Sequence, residues 1–181
     1  MFIPRYTASA AWALPQGESE QGSLKVVRDR KMTVVRKKAD DGRVFIVVYP
    51  KVEDAKHFER AAEAADNFGP AVPNPEAIGT LVLSRRLDGV YGIDHIQGHS
   101  KTSGESPLSR GLIAKYRGWR IRALIEAIEL YPPQSRHTIR VNLEGYIGRE
   151  SVVSDIREAC RRTNAILEEH QFGHIIRRKI A

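Results

Sequence analysis

Val44-Phe45-Ile46-Val47-Val48-Tyr49 is the segment that most limits what this chain can become. Six apolar residues in a row leave no polar face, so the strand they form must be covered on both sides. It belongs inside a sheet, not at its edge. Pro50 closes it, because proline has no N–H to give to a ladder. Asp41-Gly42 before it is a hairpin signal. The paired valines of Leu24–Val35 (Val26, Val27, Val34, Val35) lie upstream of that turn.

A buried strand needs neighbours, and the chain supplies them. Ile78–Leu87 and Val90–His99 flank Asp88-Gly89 and predict a second hairpin. Arg136–Leu143 alternates strictly: His137, Ile139, Val141 and Leu143 face one way, and Arg136, Thr138, Arg140 and Asn142 the other. That is a strand with one covered face. His174–Ala181 predicts a last strand. Three segments carry helical spacing. Glu53–Phe68 has Ala55, Phe58, Ala62 and Ala65 in register and ends at Gly69-Pro70. A second helix starts at the Ser106-Pro107 cap and runs to Tyr131 before Pro132-Pro133. Ser151–His170 is the third, with Gly173 as its stop. The expected fold class is α/β, a mixed central sheet with flanking helices. Residues 1–22 read as an N-terminal arm and 23–181 as a single domain.

A length of 181 residues suits one domain, and 41% hydrophobic residues suit a packed core. No apolar run approaches the roughly 18 residues of a membrane span, so no membrane partner is expected. The lone cysteine, Cys160, falls on the apolar stripe of its helix and reads as core. A cytoplasmic location follows as the expectation. Net charge is +7, divided as +4 over residues 1–50, −3 over 51–99 and +6 over 100–181. Such a balance favours a phosphate backbone as partner.

Arg110, Lys115, Arg117, Arg120 and Arg122 crowd one helix, with Tyr116 and Trp119 interleaved. Cations beside flat rings suit phosphate contact and base stacking. Tyr116 lies on the apolar stripe, whereas Trp119 is a stacking candidate. Arg177, Arg178 and Lys179 on the last strand, and Lys37 and Lys38 at the first hairpin, complete the predicted nucleic-acid-binding set. In Asp94-His95-Ile96-Gln97-Gly98-His99, even spacing puts His95, Gln97 and His99 on one face; a third metal ligand is not identifiable, and an edge strand is the simpler reading. Lys101–Ser106 lacks the spacing of a phosphate-binding loop.

From residue 43 onward the element order is similar to that of the ribonuclease H fold. The local carriers are Arg120–Leu130, similar to the family's first helix, Ile139–Ile147, similar to its strand ending in an acid, and Ile156–Ile180. The resemblance implies that strand 43–49 lies beside 136–143 and parallel to it. A ferredoxin-like sandwich is the competing architecture. Active members of the family hold two divalent metals with clustered carboxylates. Here Glu144 matches one such position, Arg122 stands at another with Glu126 a turn further on, and the first strand has no acid before Glu53. The resemblance thus implies a degenerate, binding-only member. The expectation is a basic nucleic-acid-binding protein, RNA slightly preferred over DNA, alone or within a ribonucleoprotein complex, with no cofactor. One alternative is a nuclease using Glu144 and Glu126 with Mg²⁺ or Mn²⁺. Another is a module that binds an acidic protein.

Overall fold

The computed structural model describes residues 17–21, 24–28, 32–50, 78–86, 90–98, 116–131, 137–143, 149–170 and 173–179. The described strands are β1 (Gly17–Gln21), β2 (Leu24–Arg28), β3 (Thr33–Lys38), β4 (Val44–Tyr49), β5 (Gly79–Arg85), β6 (Tyr91–Gly98), β7 (Thr138–Val141), β8 (Ala165–His170) and β9 (Gly173–Arg178). The described helices are α1 (Trp119–Ile128) and α2 (Arg149–Arg162).

All nine strands join one sheet in the order β1-β2-β3-β4-β5-β6-β7-β9-β8. Every neighbouring pair is antiparallel except β6 and β7, which are parallel. The sheet is therefore mixed, with helical cover, as the element pattern predicts. β4 lies between β3 and β5 and buries all six of its residues. The turn into it uses Gly42 at φ +85, a left-handed conformation that glycine adopts without cost. Asp41 supports that turn by accepting the Arg43 N–H at 3.0 Å.

α1 packs across β3, β4 and β5 and reaches β9, while α2 packs against α1 and β8. Alternation sends Val34, Ile46, Val48, Leu81, Leu83, Ile93, Ile139, Val141 and Ile176 to the helix side. There they meet Ala123, Leu124, Ala127 and Ile128 of α1 and Val152, Ile156 and Ala159 of α2. The complementary residues of β2–β5, Val26, Val35, Phe45, Val47 and Val82, are buried as well.

Two expectations need correction. The first is strand order. β7 does not lie beside β4; β5 and β6 separate them. β3 and β5 already occupy both edges of β4, so no ladder is left for β7. β6 and β7, on either side of α1 in the chain, pair directly instead, as consecutive strands commonly do. The adjacency implied by the ribonuclease H resemblance is therefore not the one observed.

The second is the helix over Ser151–His170. α2 ends at Arg162, the Thr163 hydroxyl donates to Ala159 O at 2.7 Å, and Asn164 turns the chain at φ 54. Residues 165–170 form β8. Ile166 and Leu167 fit a period of two as well as one of 3.6. As a strand, 165–170 exchanges backbone hydrogen bonds with β9, which outweighs leaving Ile166 42% exposed. Gly173, at φ 151, begins β9 opposite His170 and does not stop a helix.

The expected N-terminal arm is described only in part. Residues 17–21 form β1 and pair with β2 throughout, whereas 1–16 and 22 lie outside the described residues. The expected helix Glu53–Phe68, the Ser106-Pro107 cap, and Asp88-Gly89 also lie outside them.

Candidate anion-binding face of the sheet

Among the described residues, the cations of the expected basic helix do not gather on one surface. Arg110 and Lys115 lie outside the described residues. Arg117 is exposed, just before α1. Arg120 is held by Asp155 of α2 at 2.7 Å and by Ser151, and Arg122 is half-buried. Trp119 is a core residue and not a stacking platform. Its ring fills the space above Gly79, where even a Cβ would overlap the indole.

Glu126 is also turned inward. Lys25 and Arg36 are cross-strand partners on β2 and β3, and both point to the helix side beneath α1. Lys25 Nζ lies 2.9 Å from Glu126 Oε2 and 3.6 Å from Glu129 Oε2, and Arg36 Nη1 lies 3.8 Å from Glu126 Oε2. Lys25, Arg36 and Glu126 are each only 6% exposed. Burial pushes the Glu126 carboxyl above its ordinary value, and the Lys25 and Arg36 cations pull against that rise. Glu144 and Glu53 lie outside the described residues. Asp94, the other acid considered with Glu126, is on the far side of the sheet. Among the described residues no three His, Cys, Asp or Glu side chains gather as metal ligands. His95 is exposed, and His99 is outside the described residues. Burial raises the Cys160 thiol to about 11, consistent with a core residue.

The cations that do share a surface lie on the face of β6–β9 turned away from α1 and α2. Arg140 of β7 and Asn142 just after it are exposed there, opposite the buried Ile139 and Val141. Arg140 is in register with Gly92 of β6 and with Ile175 of β9. Ile166 of β8 is in register with Arg177 of β9, on the same face. Arg86 crosses this face from the end of β5. It lies flat over Gly92, where a Cβ would collide with its guanidinium, and its Nη2 donates to Asp94 Oδ1 at 3.0 Å.

Asp94 owes its position to a β-bulge. Val82 pairs with His95 and Leu83 with Ile93, so Asp94 is skipped in the register. Ser84 donates to its other oxygen. On β9, Arg177 Nε donates to Glu168 Oε1 at 3.2 Å, and His170 Nε2 lies 3.3 Å from Glu168 Oε2. These two contacts hold the Glu168 carboxyl below its ordinary value.

Of the described members of the predicted set, only Arg177 belongs to this face. Arg178 turns to the other side and donates to Tyr131 O at 2.6 Å. Lys179 is exposed beyond β9, and Lys37 and Lys38 lie on β3, three strands from β6. Arg86 and Arg140 were not in the predicted set. Alternation over Arg136–Leu143 already marked Arg140 as outward, whereas nothing local marks Arg86.

β6 and β7 add a second feature. Their parallel ladder runs from Tyr91↔Ile139 to Ile93↔Val141, but β6 continues to Gly98. The carboxyl ends of the only parallel pair among the described strands therefore part beside the Asp94 bulge. No described helix is long and apolar enough to cross a membrane. In comparisons with protein-family models, curated proteins and solved structures, nothing matches this chain.

Proposed function

We propose that the protein binds nucleic acid through the helix-free face of β6–β9. The observation that carries this reading is Arg86, Arg140 and Arg177 on one sheet face, in a chain of net charge +7. Arginines spread across one face of a sheet suit a row of phosphates. Their attraction needs no base contact, so the binding is sequence-tolerant. The preference for RNA leaned on the strand order of the ribonuclease H fold, which is not the order observed, so both RNA and DNA are within the proposal. The nuclease alternative rests on Glu144, which lies outside the described residues, and on Glu126, which faces Lys25 and Arg36 under α1.

Fluorescence anisotropy with labelled single-stranded RNA, single-stranded DNA and a hybrid tests the reading. Affinity is expected to fall steeply between low and physiological salt, and to fall further in Arg140→Ala/Arg177→Ala. Absence of binding to all three probes at low salt overturns it and leaves the acidic-protein partner.

A second reading is favoured by the parting of β6 and β7. Ligands of sheets with parallel strands sit beyond the carboxyl ends of those strands. The end of β7, at Val141 and Asn142, lines a hollow at that place. On this reading the protein acts on or senses a small molecule.

A further inference from the structure

We propose that the outer edge of β8 pairs with the same edge of a second copy of this chain, joining two sheets into one about a two-fold axis. β8 ends the sheet, and among the described residues its one ladder is with β9. The direction of its backbone groups follows from one hydrogen bond. The Lys179 N–H donates to Asn164 O at 2.9 Å, which makes Asn164 and Lys179 a hydrogen-bonded pair in line with the β8–β9 register. Such pairs alternate along an antiparallel ladder. Ile166, Glu168 and His170 therefore bond inward to β9, and the N–H and C=O groups of Ala165, Leu167 and Glu169 point outward. Proline, lysine and bulges commonly blunt an edge of this kind; residues 165–170 contain none of them. Ile166, on the same strand, is the one large apolar side chain exposed among the described residues, at 42%.

The occupant is a second copy because the edge is complementary to itself in one register. A two-fold axis through Leu167, perpendicular to the sheet, sets Leu167 against the partner's Leu167, Ala165 against the partner's Glu169 and Ile166 against the partner's Glu168. Each outward residue then exchanges both N–H···O bonds, and no acid stands opposite an acid. Ile166 comes to lie between Arg177 of its own chain, with which it is in register, and the partner's Glu168. The acids are already matched within each copy, Glu168 by Arg177 at 3.2 Å and Glu169 by Arg157 at 2.6 Å. Moving the axis to Glu168 would oppose two carboxylates, and moving it to Ile166 would carry Glu169 past the end of the strand. β1, the other edge of the sheet, is unsuited, since turning it about Ser19 onto its own copy sets Glu18 against Glu20. A ladder this short buries less than a standard interface, so the dimer belongs to the transient class. The pairing stands whether or not the adjoining open face binds nucleic acid.

Sedimentation velocity of the full chain from about 1 to 500 µM is the test, with a monomer–dimer Kd expected on the order of 10–100 µM. Two substitutions of the exposed Ile166 read the register. Ile166→Glu faces the partner's Glu168 and is expected to weaken the dimer about tenfold. Ile166→Lys meets the same carboxylate with the opposite charge and is expected to leave the dimer at least as strong. Equal loss in both variants would mean an unspecific apolar contact and overturns the pairing. Leu167→Pro is the further variant should these misfold. It removes an N–H that the β9 ladder does not use, so it should fold and stay monomeric. Amide hydrogen exchange gives a second readout on the unaltered chain. The Leu167 and Glu169 N–H groups should gain protection as concentration rises, whereas those of Ile166 and Glu168, bonded to β9, should be protected throughout. A chain that stays monomeric at the top concentration, protection of Leu167 and Glu169 that ignores concentration, or a dimer indifferent to Leu167→Pro overturns the proposal.

Discussion

β3–β5 and β6–β9 belong to one sheet but live in different surroundings. In β4 every side chain is buried, and Phe45, Val47 and Val82 are buried on the face away from α1 just as Ile46, Val48 and Leu83 are on the face toward it. In β7 only alternate side chains are buried; Arg140 is exposed, as is Asn142 just beyond the strand. The first region is built to hold, and its sequence is accordingly apolar without a period. The second spends one face on polar groups, and it is there that Arg86, Arg140, Arg177 and the hollow are found. The exposed polar face lies on the part of the sheet that its core can spare.

Truncations of similar size on the two regions sharpen the contrast. Phe45→Ala, on the side away from α1, is expected to cost about 3–5 kcal/mol in urea unfolding, as for any buried aromatic. A loss below about 1 kcal/mol would mean that this face is not truly packed.

Lys25→Met comes next, at about 3 kcal/mol at pH 7, because Glu126 keeps only the more distant Arg36. The pH dependence has a definite sign. The folded-state value of Glu126 already lies above 4.5, and losing Lys25 raises it further. The folded state then binds the proton before the unfolded state does. Stability of the variant should rise as pH falls from 7 toward 5, relative to the parent. An unchanged difference between the two pH values would show that the carboxyl is not charged beside Lys25.

Tyr131→Phe tests the seam between the regions. The Tyr131 hydroxyl accepts the N–H of Tyr91 at 3.0 Å, and its ring stacks on His137 at 4.9 Å between centroids. Removing the hydroxyl should cost about 1 kcal/mol by thermal unfolding and leave the ring in place. Ile175→Ala should have the smallest effect, below about 1 kcal/mol, because this half-buried side chain lies on the open face. A cost near that of Phe45→Ala would show that the open face is covered in solution.

Local pattern made much of this legible. Burial on both faces of Val44–Tyr49, the Asp41-Gly42 turn, the hairpin over 79–98 and the alternation of 138–141 all follow from period and turn chemistry. Three features did not, each for a physical reason. Ile166 and Leu167 fit both periods, and the decision rests on one left-handed residue, Asn164, and on a partner strand. Trp119 sits among arginines in the chain, but its environment is set by Gly79, forty residues away. Lys25 and Arg36 are long cations beside paired valines, which suggests solvent, yet they face a carboxylate that no spacing links to them. For the candidate site, only Arg140 and Arg177 are foreshadowed by alternation. Arg86 requires knowing that Gly92 leaves room above the sheet.

From β1 to β7 the order across the sheet is the order along the chain, and only the final two strands are reversed, with β9 inserted between β7 and β8. This has a consequence for how the molecule comes together during synthesis. The meander can zip progressively as it emerges, each strand finding a neighbour already made. β7 then waits with an open edge until residues 173–178 are available, since β8 alone does not touch it. For that interval the chain carries a sticky strand with nothing native to cover it. The β8–β9 hairpin is thus the closing clasp of the sheet, and slowing its arrival is the step at which aggregation should compete best with folding.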